Sequence, residues 1–307
     1  MNGTVAQLAS QDPIWDAIRQ DATALSGEEP ILGSLAHASV LNQSRFEDAL
    51  TYILAQRLGS EDVPAMLLRQ VFDGIVAGDA QIGIAARADL AAVCERDPAC
   101  NSPLEALLFF KGFHALQAHR LAHALLHQGR RALAHYLQSR MALIFGIDIN
   151  PAARLGCGIM IDHGTGVVIG ETAAIEDGVS MLQGVTLGGT GKDVGDRHPK
   201  IREGVMIGAG AGVFGNVEIG ARAKIGAGSV VLKSVPARCT AAGVPARLVG
   251  MSANQEPARD MDQSSARTLR WSQRSLELAQ QSRRCFCAND PGARSVIAWD
   301  SWMWPGK

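Results

Sequence analysis

Between Ile149 and Val231, apolar or small residues return at every sixth position. The series runs Ile149, Leu155, Ile161, Val167, Ala173, Val179 and Val185, then resumes at Ile201, Ile207, Val213, Ile219, Ile225 and Val231. A period of six is neither the about 3.6 of a helix nor the alternation of a strand. It belongs to a repeat architecture. Hexads suit a triangular coil with one short strand per side and three hexads per turn. Each sixth residue then points into a narrow interior, about 4.8 Å above its counterpart one coil below. Corners need residues that tolerate unusual dihedrals, and 22 of the 33 glycines lie between residues 146 and 250. From Val185 to Ile201 there are sixteen steps, two hexads and four residues over. That surplus predicts a loop leaving the coil at GTGKDVGDRHPK, residues 189–200.

The flanks obey other rules. Residues 1–145 read as an all-helical domain of six to eight helices, with good helix formers and apolar residues three and four apart. Breaks are expected at SGEEP and DPACNSP. Residues 146–250 are the coil. Residues 251–307 carry four of the five Trp (Trp271, Trp299, Trp302, Trp304) and the C-x-C pair Cys285 and Cys287, with no periodicity. They read as an irregular tail, poorly ordered or separately docked. The class is therefore α+β. Lys plus Arg (29) nearly cancel Asp plus Glu (30), which argues against a nucleic acid or anionic membrane partner. The acidic, non-hydrophobic amino terminus is no signal peptide, and no apolar run approaches a membrane span. The six cysteines lack zinc spacing and read as reduced thiols of a cytoplasmic protein.

Two histidines fall in the coil, His163 in IDHGTG and His198 in GDRHPK. Each lies near glycines and an acid, which makes it a candidate general base or a surface imidazole paired with a carboxylate. Three other patterns are discounted. GAGVFG satisfies G-x-G-x-x-G but lies within the hexads. GGTGKD lacks the spacing of a phosphate loop. His119, His123 and His127 fall four apart and read as a polar helix face, since no acidic or cysteine co-ligand is near in sequence; no metal is expected.

The segments GIMIDHGTGVVIGETAAIEDGVSMLQGVTLGGTGKDVGDRHPKIREGVMIGAGA and AKIGAGSVVLKSVPARCTAAGVPARLVG closely resemble the serine O-acetyltransferases, hexapeptide-repeat acyltransferases. The likeness extends through ERDPA and YLQSR, over roughly residues 10–262. It implies a left-handed parallel β-helix, and acetyl transfer from acetyl-CoA, a co-substrate and not a resident cofactor, to the hydroxyl of L-serine. It further implies feedback inhibition by L-cysteine and assembly as a homotrimer or a dimer of trimers. By the same resemblance, His163 is the base and Asp148 the acid that orients it. Asp97 and Asp162 face the substrate ammonium, and Arg197 and His198 its carboxylate. Gly189, Ala209 and Ala227 line the CoA groove, with Lys224 and Arg247 toward its phosphates. The chain departs from the family at Asn150-Pro151, usually His-Pro, and at Cys157, usually basic or polar. After DMDQ the family pattern stops. Members commonly end in an isoleucine peptide that docks into O-acetylserine sulfhydrylase; with Lys307 there instead, weak or absent complex formation is expected.

Overall fold

The computed structural model describes residues 12–191, 194–251 and 255–262. The expectations for the tryptophan-rich tail, Cys285, Cys287 and the first eleven residues lie outside the described residues.

The amino-terminal part consists of α1 (Pro13–Glu28), α2 (Gly33–Ala36), α3 (Phe46–Leu58), α4 (Ala65–Gly78), α5 (Ala80–Arg96), α6 (Pro103–Phe109), α7 (Lys111–His127) and α8 (Arg131–Phe145). Local chemistry sets their ends. Asp12 accepts from the Trp15 amide ahead of α1, and Ser102 accepts from the Glu105 amide ahead of α6, with Pro103 at the first helical position. α1 stops within SGEEP and α5 stops where DPACNSP begins. α8 ends on Gly146 in the left-handed region (φ 68°), and the strands start at the next residue. No helix among the described residues is long and apolar enough to cross a membrane.

Beyond Gly146 the chain winds into a three-sided parallel β-helix. One side stacks β1 (Ile147–Ile149), β4 (Val167–Ile169), β7 (Thr186–Gly188), β10 (Gly212–Phe214) and β13 (Val230–Val231). The second stacks β2 (Arg154–Leu155), β5 (Ala174–Ile175), β8 (Lys200–Ile201) and β11 (Glu218–Ile219). The third stacks β3 (Met160–Ile161), β6 (Ser180–Met181), β9 (Met206–Ile207), β12 (Lys224–Ile225) and β14 (Cys239–Gly243). An antiparallel hairpin from β14 to β15 (Ala246–Met251) closes that side. The G-x-G-x-x-G stretch forms β10 and its corners and opens no helix.

Register shows where the lattice is broken. In the regular coil, stacked partners are 18 residues apart, as Lys200 with Glu218 and Met206 with Lys224. In the first coil they are 20 apart, from Ile147 with Val167 through Ile161 with Met181. Spacing returns to 18 for Val168 with Thr186, so two extra residues enter between Ile161 and Val168. Partners across the loop are 26 apart, from Ala174 with Lys200 to Gly188 with Phe214. The loop surplus is thus eight residues, not the four counted from the hexads. The hexad count missed the first insertion because residues two apart on one strand both face inward. Val167 and Ile169 are buried while Val168 between them is exposed. The periodic series steps from one inward column to the other at Val167, and twelve of its thirteen members are buried, Leu155 being half-buried.

The helices grip the first coil. Asp89 of α5 is fully buried and accepts from Gln117 Nε2 (2.9 Å), Arg120 Nη2 (2.6 Å) and the Ile159 amide (2.9 Å). At the start of α7, a Cβ on Gly112 would stand 2.0 Å from the Ile161 carbonyl oxygen, so this helix meets β3 backbone to backbone. The histidine row of α7 is not a polar face: His119 is 2% exposed within the core, His123 is half-buried and only His127 is exposed. A short α9 (Pro257–Asp260) returns against α5 and β6, and the Ser180 hydroxyl of β6 donates to the Ala258 carbonyl (2.8 Å).

Candidate active site

Both lattice breaks lie at edges of the prism, and they are different edges. The two-residue insertion falls in the segment that joins the third side to the first, which contains Asp162, His163 and Gly164. The eight-residue insertion joins the first side to the second and contains Arg197 and His198.

At the first edge, His163 and Gly164 both take positive φ (56° and 75°), and the His163 side chain is 72% exposed. Its Nε2 lies 3.8 Å from Asp162 Oδ1. Burial pushes the Asp162 carboxyl above its usual range, opposed by His163 and reinforced by the negative charge of Asp97. Asp97 sits at the carboxyl end of α5, where it caps its own turn by accepting from the Ala99 amide (2.8 Å). Lys111, the first residue of α7, donates to Thr165 Oγ1 and ties the insertion to the helices. An exposed imidazole beside one carboxyl, with a second carboxyl close to the first, suits a cationic substrate whose hydroxyl must lose a proton.

Asp148, on β1, is held by Gln138 of α8, whose Nε2 donates to Asp148 Oδ1 (2.7 Å). Among the described residues no hydrogen bond joins Asp148 to His163. Gln138 carried no signal in the sequence beyond its place in YLQSR.

At the second edge, Thr172 organises the pair from the loop. Its hydroxyl accepts from the amides of Arg197 (3.0 Å) and His198 (3.1 Å) and lies 2.8 Å from His198 Nδ1, with the Asp196 carboxylate a second acceptor beside it. The Thr172 amide donates to Nδ1 (3.2 Å). Nδ1 is therefore an acceptor, and the ring carries its proton on Nε2. Burial, then the charge of Arg197, pushes the His198 pKa down, which keeps this neutral donor form at neutral pH. Arg197 pairs with Glu171 (2.7 Å). Thr172 and Glu171 carry no signal in the sequence beyond GETA at the equivalent corner one coil earlier.

The remaining residues separate likewise. Ala209 and Ala227 stack along the His163 edge, where the Gly228 amide donates to the Ala209 carbonyl (2.7 Å) and the Gly184 amide to the Thr165 carbonyl (2.8 Å). Gly189 lies at the other edge, packed against Arg197. Lys224 is buried on β12; burial lowers its pKa, opposed by Asp262. Arg247 is exposed on β15. One chain thus brings Asp97, Asp162 and His163 together and keeps Arg197 and His198 at another edge.

Residues 14–118 match the family model described as serine acetyltransferase, N-terminal, and residues 198–233 match the bacterial transferase hexapeptide model. A serine acetyltransferase of Escherichia coli K12 is 54% identical over 250 residues, 81% of this chain and 92% of that protein. A serine acetyltransferase from Brucella abortus, solved in complex with coenzyme A, superposes with a TM-score of 0.79 at 53% identity, covering 81% of this chain and 99% of that one. A serine acetyltransferase in complex with cysteine gives 0.80 at 50% identity, covering 82% and 98%. One from Neisseria gonorrhoeae in complex with serine gives 0.76 at 49%, covering 78% and 98%.

Proposed function

The chain belongs to the serine acetyltransferase family, and from that premise we propose that it transfers the acetyl group of acetyl-CoA to the hydroxyl of L-serine. The products are O-acetyl-L-serine and CoA, the first step from serine toward cysteine. The observation that carries this reading is the edge insertion that holds an exposed imidazole, His163, beside Asp162, a carboxyl that itself lies in the field of Asp97.

A serine hydroxyl is a poor nucleophile until its proton is taken. His163 Nε2 accepts that proton as the oxygen attacks the thioester carbonyl. The tetrahedral species collapses with loss of the CoA thiolate, which takes the proton back from His163. Asp97 and Asp162 hold the serine ammonium. Asp148, itself fixed by Gln138, supports the imidazole as substrate closes the site. The neutral His198 and Arg197 address the serine carboxylate, Arg197 exchanging Glu171 for the substrate. Because the two charged ends would be met by two different prism edges, the second edge comes from a neighbouring copy. A trimer of coils, or a pair of trimers, satisfies this. Gly189, Ala209 and Ala227 would let the pantetheine arm lie against backbone between copies, with Lys224 and Arg247 toward the phosphates.

In this division of labour, residues 1–145 deliver Asp97 and Lys111 and residues 146–250 supply the rigid edges. L-Cysteine, with the same charged ends as serine, competes at these anchors. Reduced Cys94, Cys100, Cys157 and Cys239 fit a cytoplasmic setting.

Thiol release from acetyl-CoA with L-serine tests the reading. His163→Ala is expected to lower kcat by about 10²–10⁴, the usual worth of such a base. Full activity in that variant, or equal turnover with sugar acceptors, sinks it.

A further inference from the structure

Helix α7 carries histidines at positions 119, 123 and 127, one turn apart on one face. The catalytic reading uses none of them. His119 is sealed in the core, but His123 and His127 approach through their Nε2 atoms at 3.0 Å, near the open end of the helix.

The tautomer of His123 follows from its other nitrogen. Nδ1 lies 2.7 Å from the Pro151 carbonyl oxygen, which can only accept, so Nδ1 carries the proton. The His123 Nε2 lone pair therefore points at His127. An imidazole whose one N–H is anchored on a backbone carbonyl while its second nitrogen offers a lone pair is the usual arrangement around bound transition metals, and here that lone pair accepts from His127 Nε2–H. His127 is exposed and can place its own proton on Nδ1, after which two lone pairs converge. Two Zn–N bonds of about 2.0–2.1 Å at a tetrahedral angle span roughly 3.3 Å between nitrogens. A small outward rotation of His127 closes that difference.

We propose that His123 and His127 form a two-imidazole site for a borderline divalent transition metal such as Zn²⁺ or Cu²⁺, at the carboxyl end of α7. No group of three or more His, Cys, Asp or Glu side chains suited to a metal gathers among the described residues, so water would fill the other positions. Nitrogen-only donors exclude Mg²⁺ and Ca²⁺, which demand oxygen ligands. The site lies away from His163 and is not needed for acetyl transfer.

The test uses the full chain, freed of metal with chelator and then titrated with Zn²⁺ by calorimetry. His127→Gln and His123→Gln are each expected to weaken one component at least tenfold, and excess Mg²⁺ to leave it unchanged. His127 is exposed, so His127→Gln keeps its helical circular dichroism and its basal thiol release. Cysteine sites are separated by Cu²⁺ electron paramagnetic resonance, where wild type should show coupling to two imidazole nitrogens and His127→Gln to one at most. Superimposable Zn²⁺ titrations for wild type and His127→Gln, or a Cu²⁺ spectrum without two-nitrogen coupling, overturn the proposal.

Discussion

His163 occupies a backbone region that costs a non-glycine residue about 1–3 kcal/mol, and the surrounding packing holds it there. Gly164 makes this possible: a Cβ on it would stand 2.5 Å from Ile147 Cδ1, so the apolar start of β1 fills the space beneath the turn. The second histidine depends on a glycine in another way. A Cβ on Gly170 would lie 2.0 Å from both Cδ2 and Nε2 of His198. Gly170 is thus the floor against which the imidazole rests while Thr172 fixes its other side. Gly170→Ala must push the ring out of place. The expected result is a roughly tenfold rise in KM for L-serine, the worth of one hydrogen bond to a charged group, with a smaller change in kcat. Steady-state rates at varied L-serine decide it; an unaltered KM removes His198 from carboxylate binding.

At the level of elements, the hexads disclosed the coil because burial in a prism repeats every sixth residue whatever fills the corners. They hid the insertion that carries His163, since a two-residue slip exchanges one inward column for another and leaves no polar residue inside. The long loop was visible because eight residues cannot be absorbed that way. The helices were legible as helices, but not the way α1, α3 and α5 are tied together. Arg87 of α5 lies over the Phe46 ring (4.6 Å) and bonds Asp12 (2.7 Å) and Glu47 (2.5 Å). Burial raises the pKa of both carboxyls, yet the Arg87 bonds outweigh it and hold both below their usual values. Folded pKa values below the unfolded ones contribute stability that is complete above the ordinary glutamate value of 4.5 and fades as pH falls through the folded values. Arg87→Met is therefore expected to cost roughly 2 kcal/mol at pH 7. The gap to wild type should narrow as denaturant melts are repeated below pH 4.5. A gap independent of pH would remove the carboxylates from the account.

At the scale of the whole molecule, the two candidate half-sites were legible as motifs but their separation was not. Sequence order places Asp162 and His163 only a few dozen residues before Arg197 and His198, and nothing in that spacing says that two prism edges divide them. Register does: the chain passes through three sides per coil, so an insertion after the third side and one after the first emerge at different edges. A shared site between copies has a consequence that a self-contained site lacks. His163→Ala disables one edge and Arg197→Ala the other, and each alone should be nearly inactive with L-serine. If copies share the site as proposed, unfolding the two variants together and refolding them as mixed assemblies gives some interfaces that join an intact His163 edge to an intact Arg197 edge. Random assembly makes about a quarter of the interfaces whole, so thiol release should return to about a quarter of the wild-type rate. Refolding each variant separately and then mixing should restore nothing until subunits exchange. If co-refolded mixtures stay as inactive as their parents while still assembling, each chain works alone, and Arg197 must reach His163 by a movement of its own loop.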